Sequence, residues 1–182
     1  WIIHEALQQQ QKWLAQGIDI QVSVNVFGMH LQRVDFVERL ESILQEYPDS
    51  DPSVLELEIV ETIALENLKE IIARIHGCMK LGVHFSLDDF GTGYSSLTYL
   101  RQLTVSTVKV DRSFVRDMLH NNEDMALVEN IVGMAQTFNR KVVAEGLETI
   151  EHGVPLIRCG CDYGQGYGIA RPMPPSELVA WV

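Results

Sequence analysis

Cysteine is scarce, with three in 182 residues: Cys78, Cys159 and Cys161. An odd, low count speaks against a disulfide framework and fits a reducing compartment, so a cytoplasmic location is expected. Cys159-Gly-Cys161 is a Cys-x-Cys pair, not the Cys-x-x-Cys of a zinc ribbon or redox site, and no His-x-x-x-His accompanies it. The thiols read as buried packing groups. Long apolar runs are missing too. Nothing approaches the ~20 residues of a membrane span. The opening Trp1-Ile2-Ile3-His4 is not a signal peptide and starts mid-pattern, as expected for a piece of a longer chain. Positive charge is the minority, with 14 Lys+Arg against 25 Asp+Glu and a net charge of −11. That balance argues against DNA, RNA or an anionic membrane as partner. An anionic ligand would have to be held by something other than net charge.

What is present suits a folded domain: 46% apolar, 21% charged and 8% aromatic residues. At roughly 150 residues per domain, one domain over 1–182 is expected. Apolar periodicity predicts helices over 2–16, 31–46, 63–80, 123–138 and 149–158, and a last one from near Ser176. Strands are predicted over 18–26, 54–60, 83–87, 105–110, 141–144 and 161–163, with a Gly-rich turn at Asp89-Phe90-Gly91-Thr92-Gly93. This alternation implies parallel strands joined by helical crossovers.

Polar groups at the strand ends choose between an open sheet and a barrel. Asn25 ends the first strand, Glu58 the second, Asp88 and Asp89 the third, Lys109 the fourth and Glu145 the fifth, and Gln165 follows the sixth. An open sheet gathers its ligand groups at one switch point, whereas a barrel draws them from the C-terminal ends of many strands. The expected fold is therefore α/β, a (β/α)8 TIM-type barrel variant. Such barrels run to about 250 residues, so one or two leading strand units are expected to be missing.

Convergence of those ends would assemble four carboxylates around one ammonium, a local charge of −3. Such a cluster demands cations or protons. The candidate ligands are all oxygens, which suits Mg²⁺ or Mn²⁺ rather than zinc. Adjacent Asp88 and Asp89 can supply one bridging and one terminal carboxylate to two ions that clamp a phosphodiester. Lys109 could neutralise developing charge, and Glu145 could orient or deprotonate a water. Singly, each piece has a plainer reading. Lys109-Val110-Asp111 could be an ordinary strand end, Glu58 and Glu61 could be helix N-terminal charges, and the Asp-Asp-Phe-Gly-Thr-Gly run could be a simple turn. Their joint position at the same end of every strand favours the site.

At Asp88-Asp89-Phe90-Gly91-Thr92-Gly93-Tyr94-Ser95-Ser96-Leu97 the sequence resembles the EAL family of cyclic di-GMP phosphodiesterases. The resemblance extends through Ser23-Val24-Asn25-Val26, Leu57-Glu58-Ile59-Val60-Glu61-Thr62, Val108-Lys109-Val110-Asp111-Arg112-Ser113-Phe114, Val143-Ala144-Glu145-Gly146-Leu147-Glu148-Thr149 and Gln165-Gly166-Tyr167. It implies a variant (β/α)8 barrel that opens cyclic di-GMP to linear pGpG with Mg²⁺ or Mn²⁺. It implies Asn25, Glu58 and Asp88 as ligands of a first metal and Asp88 and Asp89 as ligands of a second. Lys109 and Glu145 match the residues that hold or activate the water, and Gln165 matches a contact to water or substrate. Glu148 matches a glutamate that braces the loop from Asp89 to Ser96, which in the family shapes the metal site and often a homodimer interface. A sensor or GGDEF domain often precedes such a domain.

The strand that carries the family's Glu-Ala-Leu motif, with its first-metal ligand, is expected to lie upstream of these residues. Phe27 and Met29 stand where the family has Ser and Arg, Val60 stands for Thr, and Gly164 and Gly168 flank Gln165 as further departures. A second function of another class is a non-catalytic cyclic di-GMP receptor or interaction module. Retention of Glu58, Asp88, Asp89, Lys109 and Glu145 argues for the enzyme. The 182 residues alone, lacking one ligand, are expected to hydrolyse weakly or not at all.

Overall fold

The computed structural model describes residues 1–61, 68–93, 97–161 and 163–182. In chain order the elements are α1 (Ile2–Leu14), β1 (Val22–Asn25), α2 (Gly28–Leu31), α3 (Phe36–Gln45), β2 (Leu55–Val60), α4 (Leu68–Lys80), β3 (His84–Phe90) and α5 (Leu97–Gln102). Then come β4 (Thr107–Val110), α6 (Arg112–Asp117), α7 (Asn122–Thr137), β5 (Lys141–Glu145), α8 (Gly153–Cys159), β6 (Tyr163–Gln165) and α9 (Pro175–Trp181). Strand order follows chain order, and the registered pairs are parallel. This is the expected parallel α/β class. The predicted helix start at 63–67, the resemblance at Tyr94-Ser95-Ser96 and Asp162 lie outside the described residues.

The chain divides into two compact units. The first comprises Trp1–Ile59, Ile63–Phe85 and Met173–Val182. Here α1 buries Leu7 and Trp13, and the Trp13 indole Nε1 donates to the Pro175 carbonyl at 3.2 Å, where α9 begins. β2 is buried along Leu55–Ile59, as a strand covered on both faces must be. The first strand is shorter than predicted. Residues 18–21 alternate in sequence but form no ladder, and pairing starts at Val22 opposite Leu55. The tripeptide Glu5-Ala6-Leu7 spells the family motif, yet it lies inside α1 with Leu7 packed into the core. It is helical and is not the strand-borne motif.

The second unit comprises Val60–Thr62 and Ser86–Pro172. β4 is buried at all four positions, with α7 packed against β4 and β5. Val128, Ile131, Val132 and Ala135 give α7 its buried face, at helical spacing. Side-chain caps start two of its helices: Asp111 accepts from the Ser113 amide and Asn121 from the Glu123 amide, each at 2.9 Å. The last strand sits two residues later than predicted, so Gln165 lies within β6 rather than after it.

The main correction concerns Asp89-Phe90, read above as the start of a Gly-rich turn. The structure carries β3 on through Asp88 and Asp89 to Phe90. Leu87 pairs with Val108 and Phe90 with Val110, so Asp88 and Asp89 together oppose the single residue Lys109. This is a β-bulge, and Asp89 takes the left-handed φ of +53° that lets the strand absorb the extra residue.

Candidate metal centre

In the first unit, Asn25 and Glu58 are register partners at the ends of β1 and β2. The Val26 amide donates to the Glu58 carbonyl at 2.8 Å and extends that pairing one residue further. Asn25 is exposed and Glu58 buried. Beyond Asn25 the chain turns into α2, leaving Phe27 and Met29 each 73% exposed.

In the second unit, four strand ends bring Asp88, Asp89, Lys109, Glu145 and Gln165 to one side. The bulge explains how neighbours in sequence can share a site. In a regular strand Asp88 and Asp89 would point to opposite faces. Here one oxygen from each of Asp88, Asp89 and Glu145 lies within 4.8 Å of the others. Lys109 Nζ sits 3.0 Å from Asp88 Oδ1 and 2.7 Å from Glu145 Oε1, with only 7% of its side chain exposed. Glu145 and Gln165 are register partners across β5 and β6. Asp89, Glu145, Glu148 and Gln165 line a pocket of about 580 Å³.

The electrostatics are those of an acidic site with too few counter-charges. Burial, then Asp88 and a hydrogen bond with Asp111, push the Asp89 carboxyl above its ordinary value, against the pull of Lys109. Asp111 moves the other way. Burial works to raise it, but hydrogen bonds from the Ser113 hydroxyl and amide and from Asp89 outweigh that and hold it low. The hydrogen bond between the two carboxyls thus works in opposite directions, raising Asp89 and lowering Asp111.

These residues fit a divalent cation. The donors are oxygens alone, as hard cations prefer. Asp88 Oδ1 is buried 3.0 Å from Lys109 Nζ, and a carboxylate oxygen so placed has a further lone pair for an ion.

Two acids were given no site role by the sequence reading. Glu61, the first residue after β2, accepts at Oε2 from the Gly91 amide at 3.0 Å and the Gly93 amide at 3.3 Å. It thereby braces the described part of the loop after the acidic pair. Its three-residue offset from Glu58 was the available signal. Asp111, two residues after Lys109, couples to Asp89. Glu148, the brace expected by resemblance, is exposed on the pocket wall. The glycine departures have packing causes: a Cβ at Gly164 would meet Leu147 Cδ2 at 2.8 Å, and one at Gly168 the Thr149 amide nitrogen at 2.7 Å.

Comparison with known proteins bears on this arrangement. The EAL domain family model matches residues 1–172. The bifunctional diguanylate cyclase/cyclic di-GMP phosphodiesterase MucR of Pseudomonas aeruginosa is 37% identical over 183 residues, spanning 100% of this chain and 27% of its own length. The chain therefore covers about a quarter of that curated relative. The solved PaMucR phosphodiesterase in complex with c-di-GMP superposes with a TM-score of 0.92 at 37% identity, covering 98% of this chain and 72% of that one. The EAL domain of Mycobacterium smegmatis DcpA gives 0.93 at 33% identity, covering 100% and 82%.

Proposed function

Because the chain belongs to the EAL domain family, we propose that it is the phosphodiesterase domain of a protein that hydrolyses cyclic di-GMP to linear pGpG. The observation that carries this reading is the bulged Asp88-Asp89 pair set against Glu145 and Lys109. Asp88, Asp89 and Glu145 would hold a divalent cation, Mg²⁺ or Mn²⁺. Such ions, when bound, acidify water and offset phosphate charge.

The chain's own residues do the rest. Lys109, fixed between Asp88 and Glu145, presents a buried positive charge to the charge that develops on the phosphate oxygens. Glu145 accepts the proton of the attacking water. Gln165, its register partner, orients water or substrate through its amide. Glu61 holds the loop that follows the acidic pair.

The test is incubation with cyclic di-GMP and Mg²⁺ or Mn²⁺, with the product identified by chromatography. It is run on the 182 residues and on a longer chain that adds an upstream Glu-Ala-Leu strand. The longer chain is expected to yield pGpG and to lose it on chelation, on Glu145→Gln or on Asp88→Asn. The shorter chain is expected to turn over weakly. Turnover that survives chelation and both substitutions would sink the reading, as would failure of the longer chain to cleave. A second copy of the chain is the expected partner, and sedimentation of the longer chain as a monomer would reject it.

A further inference from the structure

Glu145 is the last residue of β5, and the chain that follows it is held on two sides. Gly146 adopts a φ of +76°, and a Cβ there would fall 2.6 Å from Arg112 Cβ, at the start of α6. On the other side the Leu147 amide donates to the Gln165 carbonyl at 3.1 Å, and the Gly168 amide to the Leu147 carbonyl at 2.7 Å. Past these contacts comes a single 3-10 turn, Ile150–His152, whose last residue is 5% exposed. His152 is thus a buried imidazole that the chemistry of the acidic cluster does not use. Both of its ring nitrogens are engaged. Nε2 lies 3.2 Å from the Arg116 carbonyl oxygen, and Nδ1 lies 3.1 Å from the Thr149 hydroxyl. A carbonyl only accepts, so Nε2 carries a proton, and Nδ1 of the neutral ring accepts from Thr149.

Arg116 belongs to the last turn of α6, where carbonyls lack partners inside the helix, so His152 supplies a donor to one of them. α6 itself follows β4, the strand that carries Lys109. The imidazole therefore ties two strand ends together. It holds the segment after Glu145 through Thr149, and the helix after Lys109 through Arg116. We propose that His152 is a positioning residue for the reaction, a latch that keeps the segment after β5 on α6 and so keeps Glu145 Oε1 2.7 Å from Lys109 Nζ. This rests on the phosphodiesterase reading above. A leucine at 152 is apolar and offers neither group, so it releases both the Thr149 hydroxyl and the Arg116 carbonyl. A glutamine carries an N–H donor and a carbonyl acceptor on one amide, so it can serve both partners.

The experiment measures kcat and KM for cyclic di-GMP in Mg²⁺ on the longer chain described above, with urea unfolding of each variant alongside. His152→Leu is expected to lower kcat about 10- to 100-fold, as a displacement of up to about 1 Å at the reacting groups does, and to leave KM within about 2-fold. Thr149→Val, which cuts one end of the latch, should lower kcat by less. His152→Gln should restore kcat to within about 3-fold of the unsubstituted chain. A histidine that only stabilised the fold would move the urea midpoint and leave the kcat of the folded molecules unchanged. That result in His152→Leu, or in Thr149→Val should His152→Leu not fold, overturns the latch and leaves the phosphodiesterase reading standing. A folded His152→Gln protein as slow as His152→Leu overturns it too. Absence of turnover in the unsubstituted longer chain rejects that reading and the latch with it.

Discussion

Replacing Glu61 by alanine removes the acceptor that ties down the loop after the acidic pair. Two amides, those of Gly91 and Gly93, donate to its Oε2 at 3.0 and 3.3 Å. Glu61 is 3% exposed, so water does not readily replace the lost oxygen. A hydrogen bond to a charged acceptor contributes about 1.5–3 kcal/mol, and the longer bond belongs at the lower end. The two together hold the loop by roughly 3 kcal/mol, which corresponds to about a 100-fold change in an opening equilibrium. Glutamine keeps an oxygen in place without the charge, and charge-assisted bonds are about twice as strong as neutral ones. Glu61→Gln should therefore give about a 10-fold change. The assay is amide hydrogen exchange by NMR, with the β4 amides as internal reference. Gly91 and Gly93 should exchange about 100-fold faster in Glu61→Ala and about 10-fold faster in Glu61→Gln, while the β4 amides hold steady. Equal exchange at Gly91 and Gly93 in the wild type and Glu61→Ala would refute the bracing role.

Three further outcomes are expected. Gly91→Ala combines a φ of +103° with a Cβ 2.9 Å from Phe114 Cε2 and 3.1 Å from Ile131 Cδ1, so urea unfolding should show a loss of about 2–4 kcal/mol. An unchanged midpoint would contradict that packing. Burial pushes the Cys78 thiol to about 12, so it should resist Ellman's reagent at pH 8 in the native protein and react only on unfolding. In ¹³C-detected titration of the ion-free protein, Asp89 should titrate above 3.8 and Asp111 below it. By linkage, the stability tied to Asp89 is present at low pH and lost as pH rises through its raised value. That tied to Asp111 is present above 3.8 and lost as pH falls through its lowered value. The reverse order of the two carboxyls would reject the shared hydrogen bond.

The strands and most site residues were legible because their signals are local. Buried runs such as Leu55–Ile59 and polar residues at their ends need only the period of a strand and the habit of parallel sheets. Other features depend on partners far along the chain. The Asp88-Asp89 bulge exists because Phe90 pairs with Val110, and nothing in a run rich in Asp and Gly distinguishes that from a turn. Residues 18–21 alternate like a strand but join no ladder among the described residues, so periodicity overran the strand. The short helices α2, α5 and α6 have too few turns to show an amphipathic period. Glu61 looked like a helix-start charge, and only the fold shows the two amides it accepts from. Asp111 looked like the tail of a strand, and its role appears only through its contact with Asp89.

The bulge has a consequence for what insertions and deletions this chain can bear. Leu87 and Phe90 are three positions apart, yet their partners on β4, Val108 and Val110, are two apart, and the bulge takes up the difference. Removing Asp89 would put the two apolar side chains two apart, restore the ladder to a uniform phase and relieve a left-handed aspartate. The sheet would be more regular, and the acidic cluster would lose one of its members. The chain thus carries one residue more than its architecture requires, at the position its proposed chemistry can least do without. A shortened β3 is the lesion that would go unnoticed in any assay of folding and show only in the assay of turnover.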